Sequence, residues 1–108
     1  MLQTKQKALN QISYEFLSFM PQNGEQIELY SDSGESYTLS NNKSNIYFNG
    51  VKAGHIFDIT QAIAEEMYNC CKNCFGDMEP YEYFVDLEMQ ALNEWCISIP
   101  EIMKNTSK

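Results

Sequence analysis

The strongest constraint on the fold is the pair Asn49-Gly50, which separates two short β-prone runs at 46–48 and 51–53. A type I′ turn needs positive φ at both central residues, and asparagine followed by glycine tolerates that best. The pair therefore predicts a tight β-hairpin between the two runs. Turn-forming residues recur upstream, at 32–34 and 41–43, between further β-prone runs. Residues 25–56 are accordingly predicted to form a meander of three or four short antiparallel strands.

Apolar residues recur at helical spacing before this meander. Residues 4–20 place Leu9, Ile12, Phe16 and Phe19 on one stripe, which is typical of an amphipathic helix. Thr4 is expected to be its N-cap, and Pro21 is expected to end it.

A second helix is predicted to follow the meander. Asp58 as N-cap and Gln61 at the third helical position match a capping box. Gly76 suits the position just past the helix. The apolar stripe of this helix contains Ile59, Ile63, Met67, Cys70 and Cys74.

Residues 78–99 fit two patterns. Alternation between 81 and 90 favours a strand, but helical spacing accounts for about twice as many residues. We therefore predict a helix whose apolar stripe contains Met78, Tyr81, Val85, Met89, Leu92, Cys96 and Ile99. Pro100 is expected to begin a last short turn, and residues 105–108 are expected to fray.

These elements predict one α+β domain spanning residues 1–108. It consists of an N-terminal helix, a three- to four-stranded antiparallel meander, and two longer helices packed on one face of the sheet. The other face is then either solvated or covered by a partner. Tyr30, Tyr37 and Tyr47 are candidates for that outer face.

The charge of the chain is concentrated in its second half. The chain has fifteen acidic and seven basic residues, for a net charge of −8, and all seven bases are lysine. Residues 1–56 carry −1, residues 57–101 carry −9 and residues 102–108 carry +2. This balance excludes a basic nucleic-acid-binding domain, because phosphate contacts need clustered lysine and arginine.

Acidic residues are densest between 77 and 94, where no base occurs. Like charges without lysine partners destabilise a helix by a few tenths of a kcal/mol per pair, whereas a solvated face usually mixes both signs. A merely solvated acidic face remains an alternative. The residues predicted to bind a partner with a basic surface are Asp77, Glu79, Glu82, Tyr83, Asp86, Glu88, Glu94 and Trp95. Trp95 has the further alternative, shared with Phe84, of closing the core.

The cysteines offer an alternative of another class. Cys71 and Cys74 form a Cys-x-x-Cys pair that His55 and Cys96 could complete as a zinc site. Zinc motifs place such a pair on a turn, and redox motifs place the first cysteine at a helix N-terminus. Here the pair falls near the C-terminal end of a predicted amphipathic helix, where cysteine packs like a small hydrophobe. We therefore predict neither a metal site nor a cofactor.

No nucleotide-binding or catalytic motif occurs in the chain, and His55 is its only histidine. We therefore expect a binding protein and not an enzyme. The leading prediction is a small immunity protein, bacterial or phage-borne, that neutralises a basic toxin of the nuclease type. The alternative is a phage anti-defence protein that mimics nucleic acid with its carboxylates. No apolar run is long enough to span a membrane and the N-terminus lacks a signal-peptide pattern, which predicts a cytoplasmic location.

Overall fold

The chain folds into a four-stranded sheet with one helix before it and four after it, in a computed structural model that describes residues 2–106. This confirms the predicted α+β class, with four strands in the meander. In chain order the elements are α1 (Leu2–Phe19), β1 (Gln26–Tyr30), β2 (Ser36–Asn42), β3 (Asn45–Phe48), β4 (Val51–His55), α2 (Ile56–Cys71), α3 (Pro80–Tyr83), α4 (Met89–Ile97) and α5 (Ile99–Thr106).

The strands form an antiparallel meander in the order β1-β2-β3-β4. The predicted hairpin is confirmed: Phe48 pairs with Val51 across a turn in which φ is 52° at Asn49 and 84° at Gly50. The side-chain oxygen of Asn49 also accepts a hydrogen bond from the Thr38 N–H at 2.8 Å. The turn residue therefore ties the hairpin to β2.

The turn between β2 and β3 lies at Lys43 and Ser44, where φ is 55° and 70°, so it shares only Lys43 with the predicted turn at 41–43. Asn41, predicted to be a turn residue, lies in β2 with its side chain buried. Its side-chain oxygen accepts a hydrogen bond from the Ser44 N–H at 2.9 Å, and its amide donates to the Pro21 carbonyl at 3.0 Å. Asn41 thus stabilises the turn from within the strand.

The stripe predicted for the first helix supplies much of the core. Within it Leu9, Ile12 and Phe16 are buried, and α1 packs mainly against α2 and α3. The helix begins at Leu2, so the expectation that Thr4 is its N-cap is wrong. It ends at Phe19, before Pro21, as predicted.

The second helix begins and ends earlier than predicted. α2 follows β4 directly, and its N-cap is His55, whose Nδ1 accepts a hydrogen bond from the Phe57 N–H at 3.2 Å. The prediction of Asp58 as N-cap is therefore wrong, because the imidazole already fills that role and Asp58 lies in the first turn. The helix ends at Cys71, which leaves Cys74 and Gly76 in the loop that follows.

The continuous helix predicted over 78–99 is also wrong, because the chain breaks between α3 and α4. Phe84 follows α3 and is completely buried, although on one helix it would lie about 80–120° away from Leu92 and Cys96. The break lets all three side chains enter the core. Asp86 turns the chain with a φ of 56°.

The last short turn expected at Pro100 is a helix of 8 residues, α5. Ile99 and Ile102 are buried there, which explains why the segment is ordered. Residues 105 and 106, expected to fray, belong to this helix, and the rest of that prediction lies outside the described residues. Within residues 2–106, no helix has both the length and the apolar character needed to cross a membrane.

The two faces of the sheet differ in polarity. Leu29, Leu39 and Ile46 are buried on the inner face. Tyr37 pairs with Leu29 and lies 5.5 Å from Phe48, between ring centroids, so it belongs to this inner face and not to the outer one as expected. Strand alternation places Tyr30 and Tyr47 on the outer face.

Candidate partner-binding surface

Residues 77–90, here called the acidic segment, carry five carboxylates into solvent. They belong to Asp77, Glu79, Glu82, Asp86 and Glu88, and all five side chains are exposed. Among the described residues no hydrogen bond or ion pair reaches these carboxylates, and the one ion pair found there joins Lys5 to Glu65, at 3.8 Å. Their charges are therefore balanced only by solvent and dissolved ions.

Apolar side chains are exposed in the same segment. Met78 is 48% exposed, Tyr83 40%, Val85 44% and Met89 70%. Three of them, Met78, Val85 and Met89, were predicted to lie on a buried stripe. The structure exposes them instead, Met78 in the loop before α3 and Val85 and Met89 at the break between α3 and α4. A single exposed apolar side chain is ordinary, but several in one segment are typical of an interaction surface.

An aromatic cluster holds the acidic segment against the rest of the protein. The ring centroid of Phe75 lies 5.4 Å from that of Tyr83 and 5.9 Å from that of Phe84. On the other side, the Lys7 ammonium lies 5.1 Å from the centroid of the Tyr81 ring on α3. Phe84 and these contacts anchor the segment, so the backbone that carries its exposed side chains is held against the core.

A depression opens between the end of α2 and the start of the acidic segment. It has a volume of about 360 Å³, and Phe75, Met78 and Pro80 contribute to its lining. Glu79 and Lys72 also line it, so one carboxylate and one ammonium border the apolar part of the lining. The depression therefore does not by itself select a basic side chain.

The structure divides the remaining predicted residues into two groups. Tyr83 lies within the acidic segment, whereas Glu94 and Trp95 lie on α4. Glu94 accepts a hydrogen bond from Gln90 at 2.9 Å. Trp95 is only partly exposed and packs against the core, which is the alternative that the sequence left open for it.

Sequence reasoning missed the contribution of the sheet to this region. Asn93 of α4 binds the edge of β1 through two hydrogen bonds to Tyr30: its oxygen accepts from the N–H at 3.1 Å, and its amide donates to the carbonyl. Gln90 donates to Asp32 at 3.2 Å. These contacts bring Tyr30 and Asp32 beside α4. They join residues about sixty positions apart in sequence, and no local pattern signals them.

The Cys71 and Cys96 thiols are poorly suited to act as nucleophiles or metal ligands. The neighbouring Cys71 sulfur, followed by burial, raises the pKa of the Tyr83 hydroxyl. Burial and the adjacent Cys74 raise the pKa of the Cys71 thiol, and burial raises that of Cys96 strongly. Because the thiolate is the nucleophile and the metal ligand, a raised thiol pKa lowers reactivity at neutral pH.

The four residues considered for zinc are not brought together. His55 and Cys71 lie at opposite ends of α2, about 24 Å apart for a helix of that length. Cys96 is buried in the core. In the described part of the chain, no group of three or more histidine, cysteine, aspartate or glutamate side chains is placed to hold a metal ion.

Comparison with known proteins provides no relative. No family model matches the chain, and neither a curated protein nor a solved structure matches it.

Proposed function

We propose that this protein is a small inhibitory binding protein, an immunity protein that neutralises a basic toxin of the nuclease type. The observation that carries the proposal is the acidic segment, where five unpaired carboxylates alternate with four exposed apolar side chains. Carboxylates accelerate encounter with a positive partner surface, and apolar side chains stabilise the complex once it has formed. Nuclease substrate grooves are positively charged because they bind phosphates.

The proposed interface is centred on Glu79, Glu82, Tyr83 and Asp86. Asp77 and Glu88 extend it along the segment, and Glu94 and Trp95 lie on its α4 side. The protein acts by occupying or covering the basic groove, without turnover, in the cytoplasm of the cell that makes the toxin.

The exposed apolar side chains favour this proposal over nucleic-acid mimicry by an anti-defence protein. A mimic needs carboxylates spaced like phosphates along a face. Here Met78, Val85 and Met89 interrupt the carboxylates, and apolar groups have no counterpart in a phosphate backbone.

Charge reversal tests the proposal. The tagged protein is expected to recover a basic nuclease from its native host, and its binding kinetics are then measured with that partner. Glu82→Lys/Asp86→Lys is expected to slow association by about tenfold or more and to flatten its dependence on salt. The dissociation rate constant should change less.

Glu66→Lys/Glu101→Lys is the matched control, because it changes the net charge equally at exposed positions outside the acidic segment. It is expected to slow association far less. An equal decrease of the association rate in both variants would assign the effect to overall charge. An unchanged association rate in Glu82→Lys/Asp86→Lys would contradict the proposal.

A further inference from the structure

The two edges of the sheet differ in the hydrogen bonds that they form with groups outside the sheet. At the β1 edge, Asn93 occupies both the N–H and the carbonyl of Tyr30. At the other edge, β4 pairs with β3 on one side only. Among the described residues, no hydrogen bond from outside the sheet ladder reaches residues 51–54. Unpaired edge groups are a template for adding another strand.

An apolar groove runs beside this open edge, between β4 and α5. It has a volume of about 480 Å³, and its apolar lining comes from Phe48, Val51, Ala53, Pro100 and Met103. Val51, at the start of β4, is 70% exposed. The open edge and the apolar groove are therefore adjacent.

The charge around the groove is opposite to that of the protein as a whole. Lys52 and Lys104 both line the groove, and both are exposed. Residues 43–57 contain no acid, and the one acid of α5, Glu101, does not line the groove. In a chain with a net charge of −8, this corner is a local basic surface.

We propose that the open edge of β4 and this groove bind an extended acidic peptide of a partner protein, which adds to the sheet as a fifth strand. Main-chain hydrogen bonds to β4 would provide affinity. Alternate side chains of the peptide would face the groove, where apolar residues fit, and flanking carboxylates would meet Lys52 and Lys104.

The charges favour a peptide over a second copy of this chain. Pairing of two β4 edges would bring the lysines of both copies together, and like charges across an interface are unfavourable. The site is also distinct from the acidic segment in both charge and position. The two proposals can therefore fail independently.

The probe is a heptapeptide that alternates glutamate and valine, with blocked ends. Titration into the ¹⁵N-labelled full-length protein should shift amide resonances at 51–55 and around Pro100 and Met103. The same peptide with lysine in place of glutamate, or with N-methylated alternate residues that lack N–H donors, should bind at least tenfold more weakly. N-methylation tests main-chain pairing without altering the protein.

Lys52→Glu/Lys104→Glu should weaken binding of the acidic peptide at least tenfold, whereas Lys72→Glu, at an exposed position outside the groove, should not. Three results would overturn the proposal: no binding at millimolar peptide, equal binding of the N-methylated peptide, or equal binding to the Lys52→Glu/Lys104→Glu variant. A concentration-dependent dimer that protects β4 amides would also overturn it, in favour of a second copy.

Discussion

Asn93 shows how one side chain can cap the end of an edge strand. Its amide presents a carbonyl oxygen and an N–H₂ group side by side, which matches the N–H and carbonyl of one strand residue. By binding Tyr30 it replaces the strand that β1 lacks on its outer side. It also connects α4 to the sheet, so its loss should affect both stability and local order.

Asn93→Ala is expected to lower the free energy of unfolding by about 1–3 kcal/mol, because it removes two hydrogen bonds to the backbone. Urea denaturation measures this change, and hydrogen exchange at the Tyr30 amide should become faster. Gln90→Ala is the control, since Gln90 hydrogen-bonds only to side chains and not to the backbone of the sheet. An effect of Asn93→Ala no larger than that of the control would contradict this role.

The buried thiol of Cys96 makes the free energy of unfolding depend on pH. Burial raises the pKa of its thiol above the ordinary value of 9.0, so the folded state keeps the proton that the unfolded chain releases. Stability is therefore complete below pH 9 and falls as pH rises further, by up to about 1.4 kcal/mol per pH unit for one thiol. Cys71 contributes in the same direction.

Urea denaturation at pH 8–11 tests this dependence. Cys96→Ala is expected to lower stability at pH 8 through the cavity it leaves, yet to show a shallower loss above pH 9. Cys70→Ala removes an exposed thiol and serves as the control. Equal slopes in the wild-type protein and in Cys96→Ala would contradict the assignment to Cys96.

At the scale of elements, local patterns predicted some boundaries well and others poorly. The hairpin at Asn49-Gly50 was predictable because the turn needs that residue chemistry. The N-cap of α2 could not be predicted, since His55 and Asp58 can both accept a hydrogen bond. The end of β4 at His55 selects His55 as the N-cap. The break after α3 was hidden because Phe84 is buried in a core shared with residues of α1, α2 and the sheet, which local sequence does not reveal. For the same reason, exposure of Met89 and Val85 could not be predicted.

Asp86→Gly and Asp86→Ala test this break, because the backbone conformation at this position determines which of the two variants is more stable. In a continuous helix, Ala would be more stabilising than Gly by about 1 kcal/mol. At the positive φ of Asp86, Gly is expected to be more stabilising than Ala by about 1 kcal/mol. Both substitutions remove the same charge, so the Gly–Ala difference in urea denaturation isolates the backbone effect. A more stable Ala variant would indicate that the helix continues.

At the scale of the whole molecule, charge is separated across the surface. The acidic segment presents carboxylates without partners, whereas the corner formed by β4 and α5 presents Lys52 and Lys104. Counting charges along the sequence predicted where the acids lie, because neighbouring residues in a short segment stay close together in any fold. They could not predict the basic corner, since it joins residues about fifty positions apart, or the exposed apolar side chains that accompany the carboxylates.

The most direct test of the central claim is hydrogen–deuterium exchange of this protein alone and in complex with the basic partner recovered from its host. We expect the strongest gain in protection across residues 77–90, with a smaller gain near Tyr30 and Asp32 beside α4. Amides of α2 away from this surface should not change. Protection confined to other regions, with the acidic segment exchanging equally fast in the free and bound protein, would contradict the account.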